Sequence, residues 1–171
     1  VSARKNLLTK TEDFADAVWA KKNATATYNV AGYHTLSTIV THEMESRLRF
    51  TTSVTAGSVS RFDVVAKKGT VNFLKLRLLY TNGTQTNIDY AFFDLASGTV
   101  SFVGGSIQSA SIQYDVDGFY ICSVVGVSDG VYPFVDICPA SYDLQPSQSS
   151  VAGASVLIKR ASLTYGPSAT R

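Results

Sequence analysis

The sequence predicts an antiparallel β-sandwich of the jelly-roll kind, and three observations carry that expectation. From Ala24 onward, short runs alternate apolar and polar residues with the period of two that marks strands. Turn pairs punctuate these runs at near-regular intervals: Lys68-Gly69, Asn82-Gly83, Ser97-Gly98, Asp117-Gly118 and Asp129-Gly130. Only Asn6–Trp19 carries helix signals, and it is short. This pattern corresponds to about ten strands with at most one short N-terminal helix. No fixed-period repeat points to a propeller or a β-helix.

In order along the chain, Asn6–Trp19 mixes helix and loop signals: Thr11-Glu12-Asp13 could cap a short turn, with Phe14, Ala17 and Val18 as one buried stripe. Trp19 follows this stripe and is expected to plug the core, because large aromatics bury more often than they stand exposed. Three strand-like runs come next, beginning at Ala24, His34 and Ser46. In the last, Leu48 and Phe50 share one face while Arg47 and Arg49 share the other. After Ala56-Gly57, Phe62, Val64 and Ala66 point inward, and Arg61, Asp63 and Val65 point outward. Beyond Asp117-Gly118 lie two apolar runs, and Pro133 suggests an edge strand or a bulge for the second. Residues 140–150 read as a polar surface loop, and a last strand carries Val156 and Ile158 inward.

The most informative stretch is Val71–Val100, a long β-hairpin. With its turn centred on Gly83 and Thr84, Arg77 falls opposite Tyr90, Lys75 opposite Phe92, and Phe73 opposite Asp94. The same register sets Leu76 opposite Ala91 and Leu74 opposite Phe93. One face is then aliphatic core, and the other interleaves rings with charges. Sugars present apolar C–H faces and hydroxyl rims, so flat aromatics flanked by Arg, Lys and Asp suit them. The candidate carbohydrate-binding residues are Phe73, Lys75, Arg77, Tyr90 and Phe92, joined by Arg61 and Asp63 on a neighbouring strand. The competing reading covers this face with loops or another protomer, with the Lys and Arg stems lying along the rings.

Length and composition bound the classes. A chain of 171 residues suits one domain with a sizeable core. A net charge of +2 and 16% charged residues give no electrostatic case for nucleic acid. No apolar stretch is long enough to cross a membrane, so no membrane insertion is expected. The chain opens on Val1 and has one internal methionine, Met44, which suggests a fragment of a longer polypeptide. Cys122 and Cys138 read as two buried small hydrophobes, with a disulfide as the alternative.

The chemical motifs fail their context checks. Gly126–Gly130 matches G-x-S-x-G, but a strand follows where that elbow needs a helix. His42-Glu43 lacks the second histidine of a zincin. Glu43 and Glu45 lie beside Arg47 and Arg49, which favours a charge-balanced strand over a glycosidase pair. Asp115–Gly118 holds a fragment of a calcium loop without its remaining ligands. No cofactor is expected; a structural calcium held partly by backbone carbonyls stays open, with no motif behind it. Asn23-Ala24-Thr25 and Asn82-Gly83-Thr84 match the glycosylation sequon, the second better explained as the hairpin turn. No catalytic residue is assigned, and no enzyme is expected.

Several stretches in order, Asn6–Thr27, Ser60–Leu78, Tyr90–Val100, Asp117–Val124 and Val156–Thr170, carry a resemblance across nearly the whole chain. Together they resemble the carbohydrate-binding-module-like β-sandwich domains of bacteriophage tail fibres and tailspikes. The resemblance implies a jelly-roll module of a homotrimeric host-recognition protein, located in the virion tail and made in the host cytoplasm. It implies bacterial surface polysaccharide as the partner, with any depolymerase in a separate region of the parent protein. Lys159 stands where such domains often have an aromatic, and the short tail that typically follows is missing. Two functions follow as expectations: glycan binding on the hairpin face, or a purely structural trimerisation role. On the first, Tyr90→Ala or Arg77→Ala abolishes binding and leaves thermal stability nearly unchanged.

Overall fold

The computed structural model describes residues 5–6, 8, 10–39, 47–52, 57–78, 90–105, 107–127, 134–140 and 153–166. Their regular elements are all strands: β1 (Lys5–Asn6), β2 (Trp19–Lys22), β3 (Ala24–Asn29), β4 (Tyr33–Thr38), β5 (Arg47–Thr51), β6 (Val59–Lys68) and β7 (Phe73–Leu78). β8 (Tyr90–Asp94), β9 (Thr99–Val103), β10 (Ser109–Tyr114), β11 (Tyr120–Val127), β12 (Phe134–Ala140) and β13 (Ser155–Gly166) complete the set. A seven-stranded sheet has the order β10-β11-β6-β13-β4-β3, with β1 also on β13. A six-stranded sheet has the order β2-β5-β12-β7-β8-β9, and every pairing is antiparallel.

The topology is that of a jelly roll. β7 pairs β8, β6 pairs β11, β5 pairs β12 and β4 pairs β13, as in one long double-stranded ribbon. Rolling that ribbon sends alternate pairs to opposite sheets, so β4-β13-β6-β11 faces β5-β12-β7-β8. The Phe73–Asp94 hairpin is the tip of the ribbon. Its register is the one the sequence predicts, with Arg77 across from Tyr90, Lys75 from Phe92 and Phe73 from Asp94.

Period-two alternation fills the space between the sheets. Phe62, Val64 and Ala66 of β6 and Val156 and Ile158 of β13 are buried against Leu74, Leu76 and Leu78 of β7. Phe93, Leu48 and Phe50 join the same cluster. Each fully buried Leu or Phe contributes about 2 kcal/mol of transfer free energy. The crossing from β6 to β7 passes so close to Ser155 that only glycine fits at Gly69, whose Cβ would overlap the Ser155 carbonyl. Ser155 N–H in turn donates to Thr70 Oγ1 at 2.8 Å.

Two expectations need correction, and a third is met. Residues 10–18 form bends and turns instead of a helix. Val18 N–H donates to Asp16 Oδ1 at 3.0 Å, a local side-chain bond that competes with helical pairing. Phe14 and Trp19 are fully buried, whereas Ala17 and Val18 face outward, so the stripe reduces to one ring before the expected tryptophan plug. Trp19 Nε1 donates to the Lys10 carbonyl at 2.8 Å, which satisfies its one polar atom.

Next, β12 lies in the interior of its sheet, between β5 and β7, which excludes the edge position but not the bulge that the neighbouring proline suggested. Pro133 is outside the described residues, and Pro139 lies beyond the last β5 pair, Ile137–Leu48. Its missing N–H therefore falls outside the β5–β12 pairs of the described residues.

The cysteine expectation holds: both thiols are buried and neither is in a disulfide, although they lie on different faces. Cys122 joins the core between the sheets. Cys138 alternates with Val135 and Ile137 of that core, so it shares the outer face of the six-stranded sheet with Phe134 and Asp136.

Candidate functional site

The outer face of the six-stranded sheet brings five of the seven sequence-predicted residues together. Phe73, Lys75 and Arg77 project from β7, and Tyr90 and Phe92 from β8, as the alternation requires. β12 adds Phe134, Asp136 and Cys138 to the same face, and β5 adds Arg47 and Arg49. Asp136 stands across from Arg49 on one side and Arg77 on the other. Its carboxylate has no exposed surface and accepts from Arg49 Nε at 2.6 Å and Nη2 at 2.8 Å. The Arg49 guanidinium also lies 4.6 Å from the centre of the Phe134 ring. A two-pronged ion pair stacked on a ring is a rigid arrangement.

The rings on this face pack into a small outer core instead of standing free. Tyr90 and Phe92 are buried with Ala140, and half-buried Phe73 and Phe102 pack against them. Tyr90 meets Phe92 edge-on at 5.5 Å and stacks on Phe102 at 5.7 Å. Lys75 is fully buried, with its ammonium 5.3 Å from the centre of the Tyr90 ring. Tyr90, Phe92 and Lys75 therefore act as supports. The expectation that Tyr90→Ala leaves stability unchanged is corrected for that reason, while Phe73, Phe102 and Arg77 keep partial exposure.

Arg61 and Asp63 are not on a strand neighbouring the hairpin. They belong to β6 of the seven-stranded sheet and point outward there, on the far side of the core from Lys75 and Arg77. Consecutive strands of a rolled ribbon enter different sheets, so closeness in sequence did not mean closeness in space. Arg61 Nε donates to Asp63 Oδ1 at 3.0 Å, and Ser123 Oγ also donates to that oxygen. Ser162 Oγ reaches Asp63 Oδ2 at 3.4 Å, and Arg61 Nη2 donates to Ser123 at 3.3 Å. The set is a self-satisfied surface network.

The remaining candidate motifs divide. Ser128–Gly130, His42, Glu43, Glu45, the Asn82–Thr84 turn and residues 141–150 lie outside the described residues. Asp115–Gly118 forms a turn in which Phe119 N–H donates to the Val116 carbonyl at 2.9 Å. Among the described residues, no group of three His, Cys, Asp or Glu side chains is placed to hold a metal ion. Asn23 forms the positive-φ turn between β2 and β3.

The sequence reading missed Asp136 and Phe102. A carboxylate within the apolar run Phe134–Ala140 was the available signal, since a charge in such a run needs a partner. It also passed over His34, which is buried between the rings of Phe14 and Tyr28 at 5.5 and 5.3 Å. Neither of its ring nitrogens has a hydrogen-bond partner among the described residues, and Asp13 Oδ1 lies 3.8 Å from Nε2. Burial pushes its pKa down, Asp13 pulls it back up and Lys21 lowers it further.

No family model matches the chain, and no curated protein sequence matches it.

Proposed function

We propose that the chain is a non-catalytic carbohydrate-binding module that recognises host-surface glycan, as part of a homotrimeric phage tail fibre or tailspike. One observation carries this reading: the outer face of the six-stranded sheet holds planar cations rigidly beside aromatic rings. Arg49 is fixed by Asp136 and Phe134, and Arg77 stands across from both Asp136 and Tyr90. Preformed planar hydrogen-bond donors beside apolar surface suit the hydroxyl rim and C–H face of a sugar. Three weak sites on one fibre then bind a repeating polysaccharide through multivalency.

The test is a bacterial glycan array probed with the protein and with Phe73→Ala and Arg77→Ala, both at half-exposed positions. Each substitution is expected to weaken binding about tenfold, the loss of roughly 1.4 kcal/mol, with little change in melting temperature. An array blank for the unaltered protein sinks the proposal.

The structural alternative draws on the half-buried rings of Phe73 and Phe102, which form an apolar fringe a second protomer could cover. Sedimentation distinguishes the two. A trimer that falls apart on Phe73→Asp, with glycan binding absent throughout, favours the structural role.

A further inference from the structure

On the opposite side of the molecule, the outer face of the seven-stranded sheet gathers two ammonium groups around one ring. Phe119, the residue before β11, is buried. Lys67 Nζ lies 5.8 Å from the centre of its ring and Lys159 Nζ lies 5.5 Å from it. Tyr33, at the start of β4, meets the same ring at 5.7 Å. Lys67, Lys159 and Tyr33 lie on β6, β13 and β4, and Phe119 immediately precedes β11, four consecutive strands of the sheet.

The backbone is shaped to produce this convergence. The β13–β6 register shifts between Ile158 and Arg160, so Lys159 is the extra residue of a bulge. Bulges turn a side chain away from the direction the pleat would give it. Asp117 and Gly118 both have positive φ, which bends the chain tightly just before Phe119. A side chain at Gly118 would come within 3.0 Å of Lys67 Cε, so this glycine also makes room for the lysine stem.

Two like charges drawn to one ring repel each other, and the usual remedy is a carboxylate between them. Among the described residues none is supplied: their ion pairs leave out Lys67 and Lys159. Both lysines are half-buried and so remain open on one side. The aromatic floor holds the ammonium groups in place through cation–π attraction without neutralising them.

We infer that Lys67, Lys159, Phe119 and Tyr33 form a second saccharide site, selective for a carboxylate-bearing pyranose such as a hexuronate. The sugar carboxylate accepts from both ammonium groups, and Tyr33 flanks the ring. This inference rests on the glycan-binding reading but uses a separate face of the sandwich.

Calorimetric titration of the protein with trigalacturonate, maltotriose and citrate tests it. Trigalacturonate is expected to bind at least about tenfold more tightly than the other two, the equivalent of one good charge-assisted contact. Lys67→Gln and Lys159→Gln are each expected to weaken trigalacturonate about tenfold, whereas Lys159→Arg retains most of the affinity. Unaltered trigalacturonate binding by both glutamine variants overturns the inference, and so does citrate binding as tightly as trigalacturonate. No trigalacturonate binding, while the glycan array still gives signal, overturns this site alone. A blank array together with no binding here removes the parent reading as well.

Discussion

Arg49 and Asp136 are joined by two hydrogen bonds across the β5–β12 ladder, and the carboxylate end of the pair has no contact with solvent. A buried ion pair is hard to break from one side, because the surviving charge stays desolvated. Asp136→Ala is therefore expected to destabilise the fold by about 3 kcal/mol. Urea unfolding monitored by Trp19 fluorescence measures the loss as a lower midpoint at unchanged slope. A shift below about 0.5 kcal/mol, the size of an ordinary surface substitution, means that the pair is not a support for this face.

The same face separates supporting rings from accessible ones. Phe92 is fully buried in the outer aromatic cluster, so Phe92→Ala is expected to cost about 3–4 kcal/mol. Phe73 packs at the margin of that cluster, and Phe73→Ala should cost about 1 kcal/mol. Thermal melts of the two variants check the order. Equal shifts would show that the cluster is no more buried at Phe92 than at its edge.

Gly69 offers a test of the crossover between the sheets. A methyl group there meets the Ser155 backbone, which is itself tied into the sheet and cannot swing aside. Gly69→Ala is expected to cost about 2 kcal/mol, within the range for overpacking. Gly32→Ala is a useful comparison: its surroundings are open, but its φ of +93° strains any side chain, at about 1 kcal/mol. Denaturation midpoints should rank Gly69→Ala as the more damaging.

Much of this architecture was legible because strand alternation and turn chemistry are local. The pairing of Lys75 with Phe92 followed from counting outward from one turn, and the ladder has that register. What counting could not give was the position of one strand relative to the next. Asp63 and Lys75 are twelve positions apart, yet rolling the ribbon puts them on opposite outer faces. Nor does alternation say whether an outward face stays open, which is why the sequence left the exposure of Tyr90 and Phe92 undecided between an open and a covered face. The Lys159 bulge was hidden for a related reason: an extra residue in a strand leaves the composition unchanged and only shifts the register.

Cys122 sits in the core, where burial pushes its thiol far above the ordinary range, with the Asp63 carboxylate adding to the effect. The reactive species is the thiolate, so the native protein is expected to resist iodoacetamide at pH 8. Peptide mass mapping should find Cys122 unmodified under native conditions and fully modified in denaturant. Native labelling at a rate near that of a free thiol would place Cys122 outside the core.

His34 gives the fold a dependence on pH whose sign is fixed by its surroundings. Its imidazole is buried between Phe14 and Tyr28, and desolvation lowers its pKa in the folded state below the ordinary 6.5. Below pH 6.5 the unfolded chain takes up a proton that the folded protein does not, so stability falls as pH drops toward the folded value. Above pH 6.5 this contribution is flat. The steepest loss one such group can cause is about 1.4 kcal/mol per pH unit. Urea unfolding between pH 7.5 and 5.5 should show the decline, and His34→Leu should flatten it. Subtracting the two profiles isolates His34 from His42 and from the carboxylates. A difference profile that does not change with pH would mean that His34 is as readily protonated in the folded protein as in the unfolded chain.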